Sequence, residues 1–123
     1  MIDLSVIIVS WNVQDYLAAC LESVYSGIKK FSFEIIIVDN NSSDGSAAMV
    51  KERFPAVVLI ENRDNAGFSR ANNQAVAVST GEFILALNPD TLVLNDALGA
   101  LLGFMRAHVD AGIAAPHIRD QEC

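Results

Sequence analysis

The chain has 123 residues, 52% of them hydrophobic, which allows a single domain with a sizeable core and leaves no room for two. Its formal net charge of −7 excludes phosphate-backbone binding as the default function, since Lys29-Lys30 is the one basic doublet and no basic stripe exists. No apolar run approaches the ~20 residues of a membrane-spanning helix, and Met1-Ile2-Asp3-Leu4 lacks the basic start of a signal peptide.

In chain order, the apolar run Val6 to Val9 predicts a first strand that breaks off into Ser10-Trp11-Asn12. Tyr16, Leu17, Cys20, Leu21, Val24 and Tyr25 then recur at helical spacing, with Gly27 as the stop. A second run, Ile35 to Val38, ends in the turn-rich cluster Asp39 to Gly45, followed by a helix from Ala47 to Phe54 that Pro55 terminates. Val57 to Ile60 predicts a third strand, Glu61 to Gly67 a polar loop, and Ser69 to Ser79 a helix ended by Gly81. Phe83 to Leu87 reads as the fourth strand, ending at Asn88-Pro89-Asp90. Asp96 to His108 follows as a helix capped by Asn95, and Gly112 to Pro116 as a short fifth strand.

Strands alternating with helices imply right-handed crossovers and a mostly parallel sheet flanked by helices, a Rossmann-like α/β fold. Continuous apolar character in the runs at 6–9, 35–38 and 84–87 predicts strands covered on both faces. In such sheets ligands bind beyond the carboxyl ends of the strands, so Asp39 and Asp90 are expected to face one crevice. The chain stops within eight residues of the fifth strand, so the sheet is expected to be the truncated part of a larger domain.

Neither a Walker-A pattern nor G-x-G-x-x-G is present, so a nucleotide has to be held by other means. Asp39 can accept a hydrogen bond from a pyrimidine N–H, or it can simply open a turn. The stretch Ser43-Asp44-Gly45 already supplies a helix cap, which favours the first role for Asp39 and the second for Asp44. Asp90, projected outward after Pro89, can hold Mg²⁺ or Mn²⁺, or it can be a solvated turn acid. Trp11 is either core or a wall against which a base packs. Gly67 would let backbone pass close to a ligand, Asn72 and Asn73 are poor helix formers in mid-helix, and Arg70 could face phosphates or solvent.

His108 and His117 share no ligand-like spacing with a carboxylate. Cys20 and Cys123 show no metal-ligand spacing and read as reduced thiols of a cytoplasmic protein. The two Asn-x-Ser matches at 40–43 are chance.

Five motifs occur in order: V-I-I-V-S-W-N at 6–12, I-I-V-D-N-N-S-S-D-G-S at 36–46, N-A-G-F-S-R-A-N-N-Q-A at 65–75, G-E-F-I-L-A-L-N-P-D-T at 81–91 and G-I-A-A-P at 112–116. Together, from Leu4 to Pro116, they resemble the amino-terminal half of family 2 glycosyltransferases, and the N-P-D form resembles the rhamnosyltransferase-like branch. The resemblance implies a GT-A fold and inverting transfer of a sugar from a UDP- or dTDP-linked donor to a saccharide or lipid-linked acceptor of cell-surface polysaccharide synthesis. It also implies Mg²⁺ or Mn²⁺ as cofactor, with the full-length protein cytoplasmic and peripheral at the inner face of the membrane.

By the same analogy Val9, Ser10 and Trp11 line the base pocket and Asp39 bonds the pyrimidine. Gly67 and Asn73 pass beneath ribose and diphosphate, and Asp90 is the metal ligand. Two departures stand out. The family's acidic D-x-D is Asn88-x-Asp90 here, and the arginine many relatives carry before the helix asparagine is Asn72, with Arg70 two positions earlier. The family's general base comes from a later motif, so no base is assigned, and Asp110, Asp120 and Glu122 do not inherit the role. The donor-binding half of the enzyme is thus expected across residues 1–123, without the acceptor part, and with self-association through exposed sheet surface. The competing readings are a non-catalytic nucleotide-binding or interaction domain and, much weaker, a receiver module, which would need further acids after the first strand and a strand-end lysine.

Overall fold

The computed structural model describes residues 1–116. Eight elements alternate: β1 (Leu4–Ser10), α1 (Gln14–Gly27), β2 (Phe33–Asp39), α2 (Ser46–Arg53), β3 (Val58–Glu61), α3 (Phe68–Val78), β4 (Phe83–Ala86) and α4 (Ala97–Ala107). All strand pairs are parallel and the sheet order is β3-β2-β1-β4. Right-handed crossovers from β1 outward to β3 put α1 and α2 on one face, and the return from β3 to β4 sends α3 to the other.

Alternation along the strands divides the core accordingly. Leu4, Val6 and Ile8 of β1 and Ile35 and Ile37 of β2 pack with Leu17, Leu21 and Val24 of α1, Met49 and Val50 of α2, and Leu98 of α4. On the opposite face Ile7, Ile36 and Val38 pack against Ala71 and Ala75 of α3, whose small side chains let that helix lie close to the sheet. The central strands β1 and β2 are therefore covered on both faces, as their continuous apolar runs predict.

β4 departs from that expectation. Phe83 and Leu85 turn toward the larger core, but Ile84 is 47% exposed and Ala86 is exposed as well. The cause is the placement of α3, which packs on β1 and β2 and leaves the same face of β4 open. The fifth strand expected at Gly112 to Pro116 is not formed. Gly112, Ile113 and Ala114 line an apolar groove with Phe83, Leu85 and Leu102, yet they form no ladder with the free edge of β4, and Ile113 is 93% exposed. Asn95 does not cap α4 either. It sits in the left-handed region at φ 52°, which its short amide side chain tolerates, and Asp96 occupies the cap position. The expected features at His117, Asp120, Glu122 and Cys123 lie outside the described residues.

At the amino-terminal edge of the sheet a polar knot joins β1, β2 and the α3–β4 connection. The buried Ser5 hydroxyl donates to Glu34 Oε2 at 2.6 Å and accepts from the Gly81 N–H at 2.8 Å. Thr80 adds its N–H and hydroxyl to the same Glu34 oxygen, at 2.7 and 3.0 Å. Burial pushes the Glu34 carboxyl up, but these three hydrogen bonds outweigh it and hold it below its ordinary value.

Candidate functional site

The strand order reverses between β1 and β4, with β2 on the other side of β1, so the carboxyl ends of these strands frame the expected ligand crevice. Ser10 and Asp39, the last residues of β1 and β2, are partners in register and therefore project from the same face of the sheet. Both are buried, at 1% and 4% exposure. Asp39 Oδ2 accepts the Ser42 N–H at 2.9 Å, which fixes the turn after β2. Its other oxygen, Oδ1, and the Ser10 hydroxyl are buried with no hydrogen-bond partner among the described residues. Such groups are rare in native interiors, because each costs about 1–3 kcal/mol when left unmade.

The loops on either side of this pair are laced together. The Asn12 N–H donates to Ser42 Oγ at 2.9 Å, and Asn12 Oδ1 accepts the Ser43 N–H at 2.8 Å. Asn12 and Asn41 both adopt left-handed backbone, at φ 52° and 67°, which asparagine accommodates better than most residues. Asp44 serves two helices at once. Its Oδ2 accepts the N–H of Gln14, the first residue of α1, and its Oδ1 that of Ser46, the first residue of α2. Desolvation pushes the Asp44 carboxyl up, but the bonds from Ser46 and Gln14 outweigh it and hold it below the usual carboxylate value. Asp44 thus ties down the starts of both helices from outside their cap positions, which Val13 and Gly45 occupy.

Val9 points to the α3 face, opposite Ser10, and packs half-buried against the smaller core. Trp11 is 53% exposed, so it is not core. Gly67, at φ 82° and ψ 168°, adopts a backbone essentially reserved for glycine, although a Cβ there would meet nothing within 4 Å. The backbone conformation, not lack of room, requires a glycine. Asn65 Oδ1 holds the Gly67 N–H at 2.9 Å.

Asn73 and Arg70 are exposed on α3 and Asn72 is half-buried, and none of the three side chains has a hydrogen-bond partner among the described residues. Residues two apart leave a helix on nearly opposite sides, so Arg70 does not take the direction of Asn72. The polar pairing expected of the asparagines belongs instead to Gln74. It exchanges two amide hydrogen bonds with Asn62, at 2.8 and 2.9 Å, and Asn62 donates in turn to Asn40 Oδ1 at 2.9 Å. The sequence reading missed Asn40, Asn62 and Gln74.

Across β1, Asn88-Pro89-Asp90-Thr91 forms a turn in which the Thr91 N–H and hydroxyl donate to the Asn88 carbonyl at 3.3 and 2.7 Å. Asp90 stands exposed at the tip. Cys20 of α1 lies beneath it, Sγ 3.8 Å from the Asn88 carbonyl. Burial pushes the Cys20 thiol up to about 11, with the negative charge of Asp90 adding to the rise, so this cysteine is an inert thiol. Among the described residues no group of three or more His, Cys, Asp and Glu side chains converges on one point.

Comparison with known proteins gives this geometry a context. A family model for glycosyl transferase family 2 matches residues 5–122. The poly(ribitol-phosphate) beta-glucosyltransferase of Bacillus spizizenii is 34% identical over 100 residues, covering 77% of this chain and 16% of that protein. Residues 1–349 of Staphylococcus aureus TarS in complex with UDP superpose with a TM-score of 0.78 at 22% identity, over 94% of this chain and 38% of that one. The mannosyltransferase PcManGT of Pyrobaculum calidifontis, solved with GDP-Man and Mn²⁺, gives a TM-score of 0.75 at 24% identity, over 85% and 34%. The two superpositions show the fold, the GT-A arrangement of helices on a parallel sheet that the motifs led us to expect. Since the family model takes in all but the first four residues and the last, the chain belongs to glycosyl transferase family 2.

Proposed function

We propose that this chain is the donor-binding part of an inverting glycosyltransferase that takes a UDP- or dTDP-linked sugar. The acceptor in this reading is a saccharide or lipid-linked glycan of cell-surface polysaccharide synthesis, met in the cytoplasm at the inner face of the membrane. The observation that carries it is the pair of unpartnered buried groups, Ser10 Oγ and Asp39 Oδ1, set side by side at the carboxyl ends of β1 and β2, next to the β1–β4 point where the strand order reverses. A pyrimidine offers an N–H that satisfies the Asp39 oxygen, and Trp11 offers a flat wall. No relative reported above carries a rhamnosyltransferase name, so the proposal stays at the level of the family.

The donor set suits a divalent cation of modest demand. Asp90 is an exposed carboxylate on a rigid turn, and Asn88 stands where a second acid would be. One carboxylate is enough for Mg²⁺ or Mn²⁺ when substrate phosphates and waters complete the shell. When bound, the cation supplies stabilisation of the charge that develops on the leaving diphosphate. The chain's own residues orient the base through Asp39 and present backbone at Gly67. We assign the general base to none of them.

Calorimetric titration with UDP, dTDP and GDP, each with and without Mn²⁺, tests the reading. UDP and dTDP are expected to bind at least about tenfold more tightly with Mn²⁺, and Asp90→Asn to remove that difference. Binding without metal dependence would favour the non-catalytic nucleotide-binding alternative, and failure of all three nucleotides to bind would sink the donor reading.

The same reading includes self-association. β4 lies at the edge of the sheet with Ile84 half-exposed beside an apolar groove, and unpaired edges of this kind recruit further strands. Light scattering is expected to show mass rising with concentration. A strict monomer at high concentration counts against it.

A further inference from the structure

We propose that Asn40, Asn62 and Gln74 form a relay of neutral amides that sets the Gly67 loop for the ribose and diphosphate of the donor. The inference rests on the donor-site reading above.

Asp39 and Asn40 are consecutive at the end of β2, so their side chains leave the sheet on opposite faces. Asp39 serves the Ser10 side, and Asn40, 3% exposed, serves the α3 side. Every polar atom of the Asn40 side chain is committed to the loop that follows β3. Its Nδ2 donates to the Gly67 carbonyl at 3.3 Å, and its Oδ1 accepts from Asn62 Nδ2 at 2.9 Å and from the Ala66 N–H at 3.4 Å. Asn62 is locked in turn by the reciprocal pair with Gln74 on α3. Backbone bonds close the frame, from the Asn40 N–H to the Ser10 carbonyl and from the Asn62 N–H to the Asp39 carbonyl, both at 2.9 Å. One strand end thus sets the base acceptor on one face and the Gly67 loop on the other.

The chemistry explains why amides stand here. An aspartate at position 40 would accept the same N–H groups, but it could not donate to the Gly67 carbonyl and would repel it. It would also add a negative charge beside an anionic ligand in a protein that already carries −7. An amide gives donor and acceptor with no charge, and its hold on the loop does not change with pH.

Asn40 is buried and its truncation endangers the fold, so Gln74 is the better handle. Alanine keeps α3 helical while deleting the amide. UDP would be titrated by calorimetry and uridine by NMR, for the unmodified chain, Gln74→Ala, Asn62→Ala and the double variant. Loss of one or two neutral hydrogen bonds that position the loop is expected to weaken UDP about three- to tenfold. Uridine, held on the Asp39 side, is expected to stay within about twofold, and the double variant to match Asn62→Ala, because Gln74 joins the relay only through Asn62. Equal weakening of UDP and uridine would mean a general structural role, and unchanged UDP affinity would mean no role at all. Either result overturns the relay while the donor reading stands. Failure of the unmodified chain to bind UDP overturns both.

Discussion

Gly81→Ala is expected to lower the melting temperature by about 10 °C, corresponding to about 3 kcal/mol, the upper part of the range for overpacking in a closely packed region. A Cβ on Gly81 would stand 2.5 Å from the Ser5 backbone nitrogen, 2.7 Å from Ser5 Oγ and 2.8 Å from the Leu4 carbonyl carbon. Two of these three atoms are backbone of the central strand, which cannot rotate away as a side chain would. Relief therefore requires the α3–β4 connection to withdraw from β1. That movement pulls on the Gly81 N–H bond to Ser5 and on the adjacent bonds from Glu82 to Ile2 and from Phe83 to Asp3, which start the β1–β4 pairing. Thermal melts of the two proteins at one pH and salt concentration measure the effect. A change below about 2 °C would mean that the connection has room to give.

Asp39→Asn is expected to do the opposite, leaving the fold intact while weakening UDP binding about 10- to 100-fold, the scale of a hydrogen bond to a charged acceptor. Asparagine retains one oxygen to accept the Ser42 N–H, so the turn after β2 survives. At the Oδ1 position it places an NH₂ group, which cannot accept from a pyrimidine N–H. General electrostatics push the other way, since removing a negative charge beside an anionic ligand strengthens binding. A loss of affinity is therefore diagnostic of the specific bond. Calorimetry beside a thermal melt separates the outcomes. UDP binding equal to that of the unmodified chain, with an unchanged melt, would reduce Asp39 to a turn residue. Asp39→Ala is less informative, because it removes the turn contact as well.

Strand ends were the readable part of the site. The runs 6–9 and 35–38 are continuous because β1 and β2 are covered on both faces, and whatever follows a buried parallel strand lies on the carboxyl edge. That is how Ser10, Asp39 and Asp90 stand out in the sequence. The run at 84–87 carries the same local signal, but which face of β4 is covered depends on where α3 docks, and no residue of β4 encodes that. Likewise Gly112 to Pro116 has strand-like composition, but composition does not decide whether a segment pairs, and this one lies beside the free edge of β4 without joining it. The amide relay escaped notice for a related reason. Asn62 is twelve residues from Gln74 and 22 from Asn40, separations at which neither helical nor strand periodicity links polar positions. Asn40 itself gave no local hint, because it falls within the turn-rich cluster 39–45.

The strand order β3-β2-β1-β4 also has a consequence for the order in which the chain is expected to fold. Leu4 pairs with Phe33 on one side and with Phe83 on the other, so the contact with β4 closes a loop nearly three times as long. The additional closure entropy is on the order of 1 kcal/mol, and it must be met before any β4 contact is gained. The three strands β1 to β3, with α1 and α2 on one face, can condense through near neighbours in sequence. The Asp90 arm is expected to arrive last, and with it the polar knot around Gly81. Variants of the β4 attachment should consequently change the unfolding rate far more than the folding rate, and β4 should be the first strand to open in the native state.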